Sequence, residues 1–590
     1  MLFLDKIRWR IKDCSFVNKL IKGGKQQLPL NVKDRKTKNT KSFFPAQTCS
    51  QEKNHLPFHV FSFSEGIIQI KKESTFDESE VTNIFGKRFF TIKQCRLITI
   101  HENQCFFLEQ DSVSLVFKKL IAFNLESGET ESILIEGDWR VTLSAFVSFD
   151  KKLLIINRLL CESIEVLYYD LQSKALHSLS FATDNPQKSK EYLQKSKENG
   201  TFFYADHAQN HFVICSNMNS EKERIFSKSD NSAEWKLIYD TKCHEELLEC
   251  NVIGKERELG VLLYNDLLKR NECIILNKAG KELVRITLQS MISAVDVSLQ
   301  GRNIVRIVES NISGTETIHF NLQNTTKIQK SMPQREKEYN SEIKIETHFT
   351  KSDIPITIIK NNQYGKSQEI LFHVYGSYGE NSFDNDASWI REALQRGVII
   401  AVGHVRGGRE KGWKWYAEGR GRKKQNTIND ALQCVEYLKR EFKKEQIAMY
   451  GFSAGGWIAV NCLRHNPQDY SCIILDRALL DLQEYQKEYR NIALSNVDEE
   501  EFALNEVAYS GFDMKRTKKM PHVLVAAMKN DRRIPFKMTF DWFLKYKRLN
   551  RNVHILIDKE SGHNFLTETQ SNLYYFKILS FLLNPLKKEQ

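Results

Sequence analysis

Near residue 340 the hydrophobic rhythm of this chain changes, and that change limits its architecture more than any other feature. From about 57 to 335, short runs alternate apolar and polar residues and are broken by polar turns, as in "HVFSFSEGIIQI", "IEVLYYDLQSKAL" and "IILNKAGKELVRI". Successive side chains of a strand point to opposite faces, so this alternation predicts an all-β unit. Beyond 340, apolar strands alternate with long amphipathic segments, the pattern of a mostly parallel, doubly wound sheet with helices on both faces. A chain of 590 residues is too long for one core. The expected division is therefore a leader over 1–56, a β unit over 57–335 and an α/β unit over 336–590.

Within the β unit, "AFVSFDKKLLII" and "AVDVSLQGRNIVRIV" resemble each other, with Ser148 and Ser298 in matching places 150 residues apart. That separation suits about four repeats of the ~40-residue length of a propeller blade, although a sandwich or barrel alternates similarly. The doubled heptad "QKSKEYLQKSKENG" (187–200) reads as a surface loop or short solvated helix. In the α/β unit, "EILFHVYG", "GVIIAVGHV", "QIAMYG", "SCIILDRAL", "HVLVAAM" and "VHILID" read as strands. The segment "NTINDALQCVEYLKREF" reads as a helix opened by a capping box of Thr427 and Asp430, with Ile428, Leu432, Val435, Leu438 and Phe442 as its core stripe.

Composition removes several functional classes. The net charge of +12 is spread over a large surface without a block of Lys and Arg interleaved with aromatics, so no nucleic-acid partner is expected. The 12 cysteines are scattered without zinc-type spacing, which suggests free thiols in a reducing compartment and no metal site. No apolar run approaches the ~18 residues that span a bilayer, and "MLFLDKIRWRIKDC" is charged by its fifth residue. No membrane insertion or secretory leader is expected. The triplets at Asn199, Asn311 and Asn324 are then chance matches to a glycosylation site. A cytoplasmic location follows, with a mitochondrial address left open by the basic leader.

One short stretch carries chemistry. In "MYGFSAGGWI", Gly451, Phe452, Ser453, Ala454 and Gly455 form the frame G-x-S-x-G between a strand and a helix. A serine hydroxyl is a poor nucleophile until a base takes its proton, and such a frame holds it exposed on a sharp turn. Acid and base are then expected in the order Ser, Asp, His on loops after later strands. Asp531 follows "HVLVAAM" and His563 follows "VHILID", each at the end of a strand where sites in open α/β sheets lie. His554, His522, Asp476 and Asp481 fit less well. Ser453 is thus the candidate nucleophile, His563 the general base and acid, and Asp531 the group that orients the imidazole.

Over about 340–590, "VYGSYGENSFD", "VGHVRGGREKGWKWYAEGRGRKKQNTIND", "YGFSAGGW", "PHVLVAAMKNDRRIP" and "SGHNF" occur in the order of the prolyl oligopeptidase family of serine peptidases. The chain resembles that family, and within it oligopeptidase B and the prolyl endopeptidase-like proteins. The resemblance implies an α/β-hydrolase domain capped by a seven-bladed β-propeller that admits only short peptides, with the leader 1–56 packed on the hydrolase domain. No metal or nucleotide motif is visible, so no cofactor is expected. The resemblance also implies an oxyanion hole from the Tyr375 hydroxyl and the Ala454 N–H, and a substrate carbonyl held by Arg533.

Departures from the family narrow the expected specificity. The tryptophan that stacks on proline in prolyl-specific members has no counterpart, since Trp457 lies on the helix after the nucleophile. In the region where oligopeptidase B carries acids for basic substrates, this chain has "NVDEEEF", making Asp498, Glu499, Glu500 and Glu501 candidates for that role. The expectation is a monomeric peptidase acting on short peptides, with an esterase or thioesterase, or a binding protein on a hydrolase scaffold, as alternatives.

Overall fold

The computed structural model describes most of the chain between Phe58 and Leu583; residues 1–57, 180–201, 323–333, 490–500 and 503–519 are the longest stretches outside it, with several shorter ones. The leader 1–56, the heptad segment 187–200 and the acids Asp498, Glu499 and Glu500 lie outside the described residues.

The second half forms an eight-stranded sheet: β1 (Ile343–Phe349), β2 (Pro355–Asn361), β3 (Ile370–Val374), β4 (Ile399–Gly403), β5 (Ile447–Phe452), β6 (Tyr470–Asp476), β7 (His522–Met528) and β8 (Val553–Asp558). Their order is β1-β2-β4-β3-β5-β6-β7-β8, with only the pairings of β1 with β2 and β2 with β4 antiparallel. All six strands read from the sequence are present. Both faces are covered, which is why these strands are nearly continuous apolar runs. Phe372, Met449, Ile473 and Val525 face α3 (Gln425–Glu441), α4 (Ala454–His465) and α6 (Phe536–Leu549). Leu371, Ala448, Ile474 and Leu524 face α1 (Ser388–Gln395) and α7 (Glu568–Leu583). Two shorter helices complete the numbering, α2 (Trp413–Ala417) and α5 (Leu482–Tyr489).

The first half contains six four-stranded antiparallel meanders among the described residues, spanning 58–92, 95–132, 142–179, 202–240, 245–287 and 294–339. The second to sixth pack face to face in chain order through shared apolar clusters: Phe106 with Leu154, Ile155 with Phe212, Val213 with Val261, and Ile275 with Val305. Two expectations change. The resembling segments open the third and sixth sheets, so they are three units apart rather than four, and over that stretch the units average about 50 residues rather than ~40. The last meander runs to Tyr339, so the passage to the second sheet falls between Tyr339 and Ile343, not at 335.

The capping box is also revised. Helix α3 begins at Gln425, with Lys424 before it and no side-chain cap. Thr427 instead donates from Oγ1 to the carbonyls of Arg406 (2.7 Å) and Gly419 (3.0 Å), while Asp430 accepts from Arg406 N and Nε at 3.0 and 2.8 Å. Tertiary partners in the loop after β4 displace the local cap. The core stripe is as expected, with Ile428, Val435 and Leu438 buried and Leu432 and Phe442 packed against them.

One polar junction ties the third meander to the fourth. His207 is buried, with Nδ1 3.1 Å from Asp150 and Nε2 3.0 Å from Asp230. Burial would lower its affinity for a proton, but the two carboxylates outweigh this and hold the imidazole above its ordinary range. Neighbouring Asp206, which accepts from Tyr204 and two backbone N–H groups, is pushed up to about 6 by burial. For a histidine whose folded value is raised, the added stability is complete below the unfolded value of about 6.5 and is lost as pH rises through the folded one. His207→Gln is therefore expected to lower the melting temperature more at pH 6 than at pH 9. Equal losses at both pH values would refute the charged junction.

Candidate active site

Ser453 occupies the single-residue turn between β5 and α4, at φ 50° and ψ −120°. This left-handed region is unfavourable for a non-glycine residue, so the surroundings must hold it. They do so by close approach. A Cβ on Gly455 would lie 2.3 Å from the carbonyl oxygen of Val374 and 3.0 Å from Cα of Tyr375; one on Gly456 would lie 2.2 Å from Cβ of Ala478; one on Gly451 would lie 2.6 Å from the carbonyl oxygen of Gly455. The glycines allow α4 to start directly against the end of β3. Ser453 N–H donates to the Asp476 carbonyl at 3.0 Å, and the Ser453 carbonyl accepts from Leu479 at 2.9 Å. Gly456 was not singled out in the sequence, although its place after G-x-S-x-G marks it.

The other two predicted side chains meet the serine. His563, past the end of β8, puts Nε2 3.2 Å from Ser453 Oγ and Nδ1 2.7 Å from Asp531 Oδ2. The carboxylate at Nδ1 favours the tautomer with the proton there, leaving Nε2 as acceptor for the serine hydroxyl. Asp531 is fixed in turn, since its Oδ1 accepts from the N–H groups of Arg533 and Ile534, both at 2.8 Å. The His563 ring lies 5.4 Å from that of Phe452, and its side chain is 15% exposed, open enough to exchange protons with a bound molecule.

Tyr375 is the buried residue just past β3, and Ala454 is the first residue of α4. An N–H at a helix N-terminus lacks an intrahelical partner and carries partial positive charge. Arg533 is half-buried beside Asp531. Trp457 is fully buried, its ring 5.8 Å from Phe502, which places it in the core rather than in a substrate pocket.

Glu501 departs from the expected role. It is 1% exposed, its Oε1 takes a 2.5 Å hydrogen bond from the fully buried Lys424, and its Oε2 accepts from Tyr416 at 3.0 Å. Its charge is spent internally and does not face a substrate. Lys424 also donates to the Gly376 carbonyl and Ser377 Oγ, both at 2.8 Å, and lies 4.9 Å from the centre of the Phe502 ring. Burial pulls the Lys424 ammonium below its ordinary range, with Glu501 opposing. The pair thus pins the turn that follows Tyr375. Nothing local in the sequence marks it, because its members are 77 residues apart.

The loop after β4 joins this site to the β unit. Its Gly407 lies against the Gly376 carbonyl, Arg406 is held by Asp430, and Arg409 Nη2 reaches both oxygens of buried Glu223 at 2.5 and 2.6 Å. A cavity of about 200 Å³ between the units is lined by Glu246, Tyr264, Lys411 and Trp415 among others.

Strand order, elbow and hydrogen-bonded Ser, His and Asp together define an α/β-hydrolase fold. Residues 381–589 match the model of the prolyl oligopeptidase family. Among curated relatives, dipeptidyl aminopeptidase BI of Pseudoxanthomonas mexicana is 33% identical over 128 residues, 21% of this chain and 18% of that protein. Human prolyl endopeptidase-like is 27% identical over 238 residues, 36% of this chain and 33% of that protein. The matches thus span a third or less of either relative's length. The structure of oligopeptidase B from Leishmania major superposes with a TM-score of 0.72 at 18% identity, covering 90% of this chain and 77% of that one, and so shares the fold.

Removing one member of a buried ion pair strands the other, at a cost of about 3–5 kcal/mol, whereas replacing both by apolar residues is often neutral. Glu501→Ala is expected to lose stability of that order in urea unfolding, and Lys424→Met with Glu501→Leu to recover most of it. An unaffected Glu501→Ala midpoint would mean that Glu501 is solvated and free to meet a substrate.

Proposed function

We propose that this chain is a serine peptidase of the oligopeptidase kind, cleaving short peptides through an acyl-enzyme on Ser453. The observation that carries it is the hydrogen-bonded series Asp531, His563, Ser453, drawn from three loops at the ends of β7, β8 and β5. In this reaction His563 Nε2 takes the hydroxyl proton as Ser453 Oγ attacks the scissile carbonyl. The oxyanion that forms is met by the Ala454 N–H and the Tyr375 hydroxyl. Collapse of the tetrahedral species breaks the C–N bond, with His563 giving its proton to the leaving amine. Water, deprotonated by His563, then attacks the ester, and Ser453 leaves with that proton. Asp531 stays ionised and stabilises the imidazolium. Arg533 binds a substrate carbonyl beside the cut.

We read the meanders of the first half as blades of a propeller lying over the site, which restricts entry to short peptides. The Arg409 to Glu223 contact supports that placement. A preference for basic residues would rest on Asp498, Glu499 and Glu500, since Glu501 is neutralised by Lys424. The burial of Trp457 and of Glu501 also supports a second reading, an esterase or thioesterase. Around Ser453 the described residues supply acyl-transfer groups, while these two side chains are withdrawn from any peptide pocket.

A fluorophosphonate probe is expected to label the wild type and not Ser453→Ala. Unlabelled, folded wild type would favour the binding-protein alternative. Arg-ending fluorogenic peptides should turn over; if thioesters alone react, the esterase reading takes its place. Tyr375→Phe is expected to lower kcat by about 10²–10³ with KM little changed, as for loss of one oxyanion donor. Because the oxyanion is met by an N–H and a hydroxyl, chelators should leave the rate unaltered, and inhibition by them would contradict the mechanism.

A further inference from the structure

Behind the serine and the histidine lies a buried ion pair at the end of β6, Asp476 and Arg477, which that mechanism does not use. We infer that Arg477 is a positioning residue: it fixes the main chain of His563 relative to that of Ser453, and so sets the Oγ to Nε2 distance across which the proton moves. This rests on the reading of Ser453 as nucleophile.

The contacts run to every part of the relay. The Asp476 carbonyl accepts from Ser453 N–H at 3.0 Å, holding the elbow. Arg477 Nη1 donates to the His563 carbonyl at 2.7 Å, and Arg477 N–H donates at 2.8 Å to Ala526 of β7, the strand that leads to Asp531. The other two guanidinium nitrogens are committed too: Nε and Nη2 to Asp476 at 3.0 and 2.9 Å, and Nη2 to Tyr575 OH at 2.7 Å. Asp476 also accepts from Tyr450 and Tyr574 at 2.7 and 2.6 Å.

The guanidinium is sandwiched, with its carbon 4.6 Å from the Phe452 ring centre and 4.7 Å from that of Phe565. Phe452 is the residue before the nucleophile and stacks near His563. Arg477 holds a left-handed backbone, φ 46°, which a β-strand end does not require of an arginine. Charge balance for Asp476 needs only the two arms facing it. The arm on His563 has a different consequence: it ties down the loop after β8, where a displacement of about 1 Å can cost on the order of 10²-fold in rate. A lysine cannot replace it, because one ammonium cannot hold a two-point contact to Asp476 and reach the His563 carbonyl as well.

The test uses the full chain with a fluorophosphonate probe, following both the rate constant and the final stoichiometry of labelling, together with kcat and KM for p-nitrophenyl acetate. Two variants are compared: Arg477→Lys, which keeps the charge without the fork, and Asp476→Asn with Arg477→Met, which removes both charges together. The expected result is labelling to the wild-type stoichiometry about 10–100-fold more slowly, with kcat reduced in proportion and KM within about twofold. Either folded variant labelling at the wild-type rate would overturn the inference. So would a reduced stoichiometry at an unchanged rate, which marks partial unfolding and a purely structural role. If the wild type itself does not label, the reading of Ser453 fails first, an outcome separate from wild-type labelling with indifferent variants.

Discussion

The backbone of Ser453 is the constraint on which the rest depends. A serine at φ 50° is unstable in isolation, and it persists here because β3, β5, β6 and α4 meet around it at distances that only glycine permits. Gly455 against Val374, Gly456 against Ala478 and Gly451 against the Gly455 carbonyl leave no space for another side chain. The same approach that strains the serine brings the first turn of α4, at Gly455, against Tyr375. Strain at the elbow and the electrostatics around it therefore have one cause, the packing of a helix start onto the central strands.

Around that elbow, loops are made rigid by buried charges rather than by regular structure. Lys424 and Glu501 clamp the turn after β3, Arg406 and Asp430 clamp the loop after β4, and Asp476 and Arg477 clamp the loops after β6 and β8. Each pair gives up hydration, which makes it a weak source of net stability but a strong source of geometric definition once every donor is used. The Arg409 contact to Glu223 extends the same device across to the β unit. Loop positions are thus referred to the sheet.

Much of this was legible in residue patterns, for reasons that can be named. Strands buried on both faces leave uninterrupted apolar runs, so all six quoted strands of the second half were readable. Gly-x-Ser-x-Gly and the order of Ser453, Asp531 and His563 were readable because each sits just past such a run. The Thr427 and Asp430 capping box failed because the loop after β4 offered both side chains better partners than the helix end did. Glu501 was a candidate acid for basic substrates, and only its distant partner Lys424 shows that it is turned inward. The ~40-residue period misjudged the meanders, whose connections differ in length.

Local pattern, then, was sufficient to set the two-part architecture, the parallel sheet and the place of Ser453, Asp531 and His563, because all of these follow from hydrophobic periodicity and from which residues follow a strand. It was not sufficient for the partners of Lys424, Arg409 or Arg477, which are 77, 186 and 86 residues distant in the chain. Charges far apart in sequence carry no periodic signature, and whether a carboxylate faces solvent, a substrate or a buried cation is settled only when packing brings the loops together.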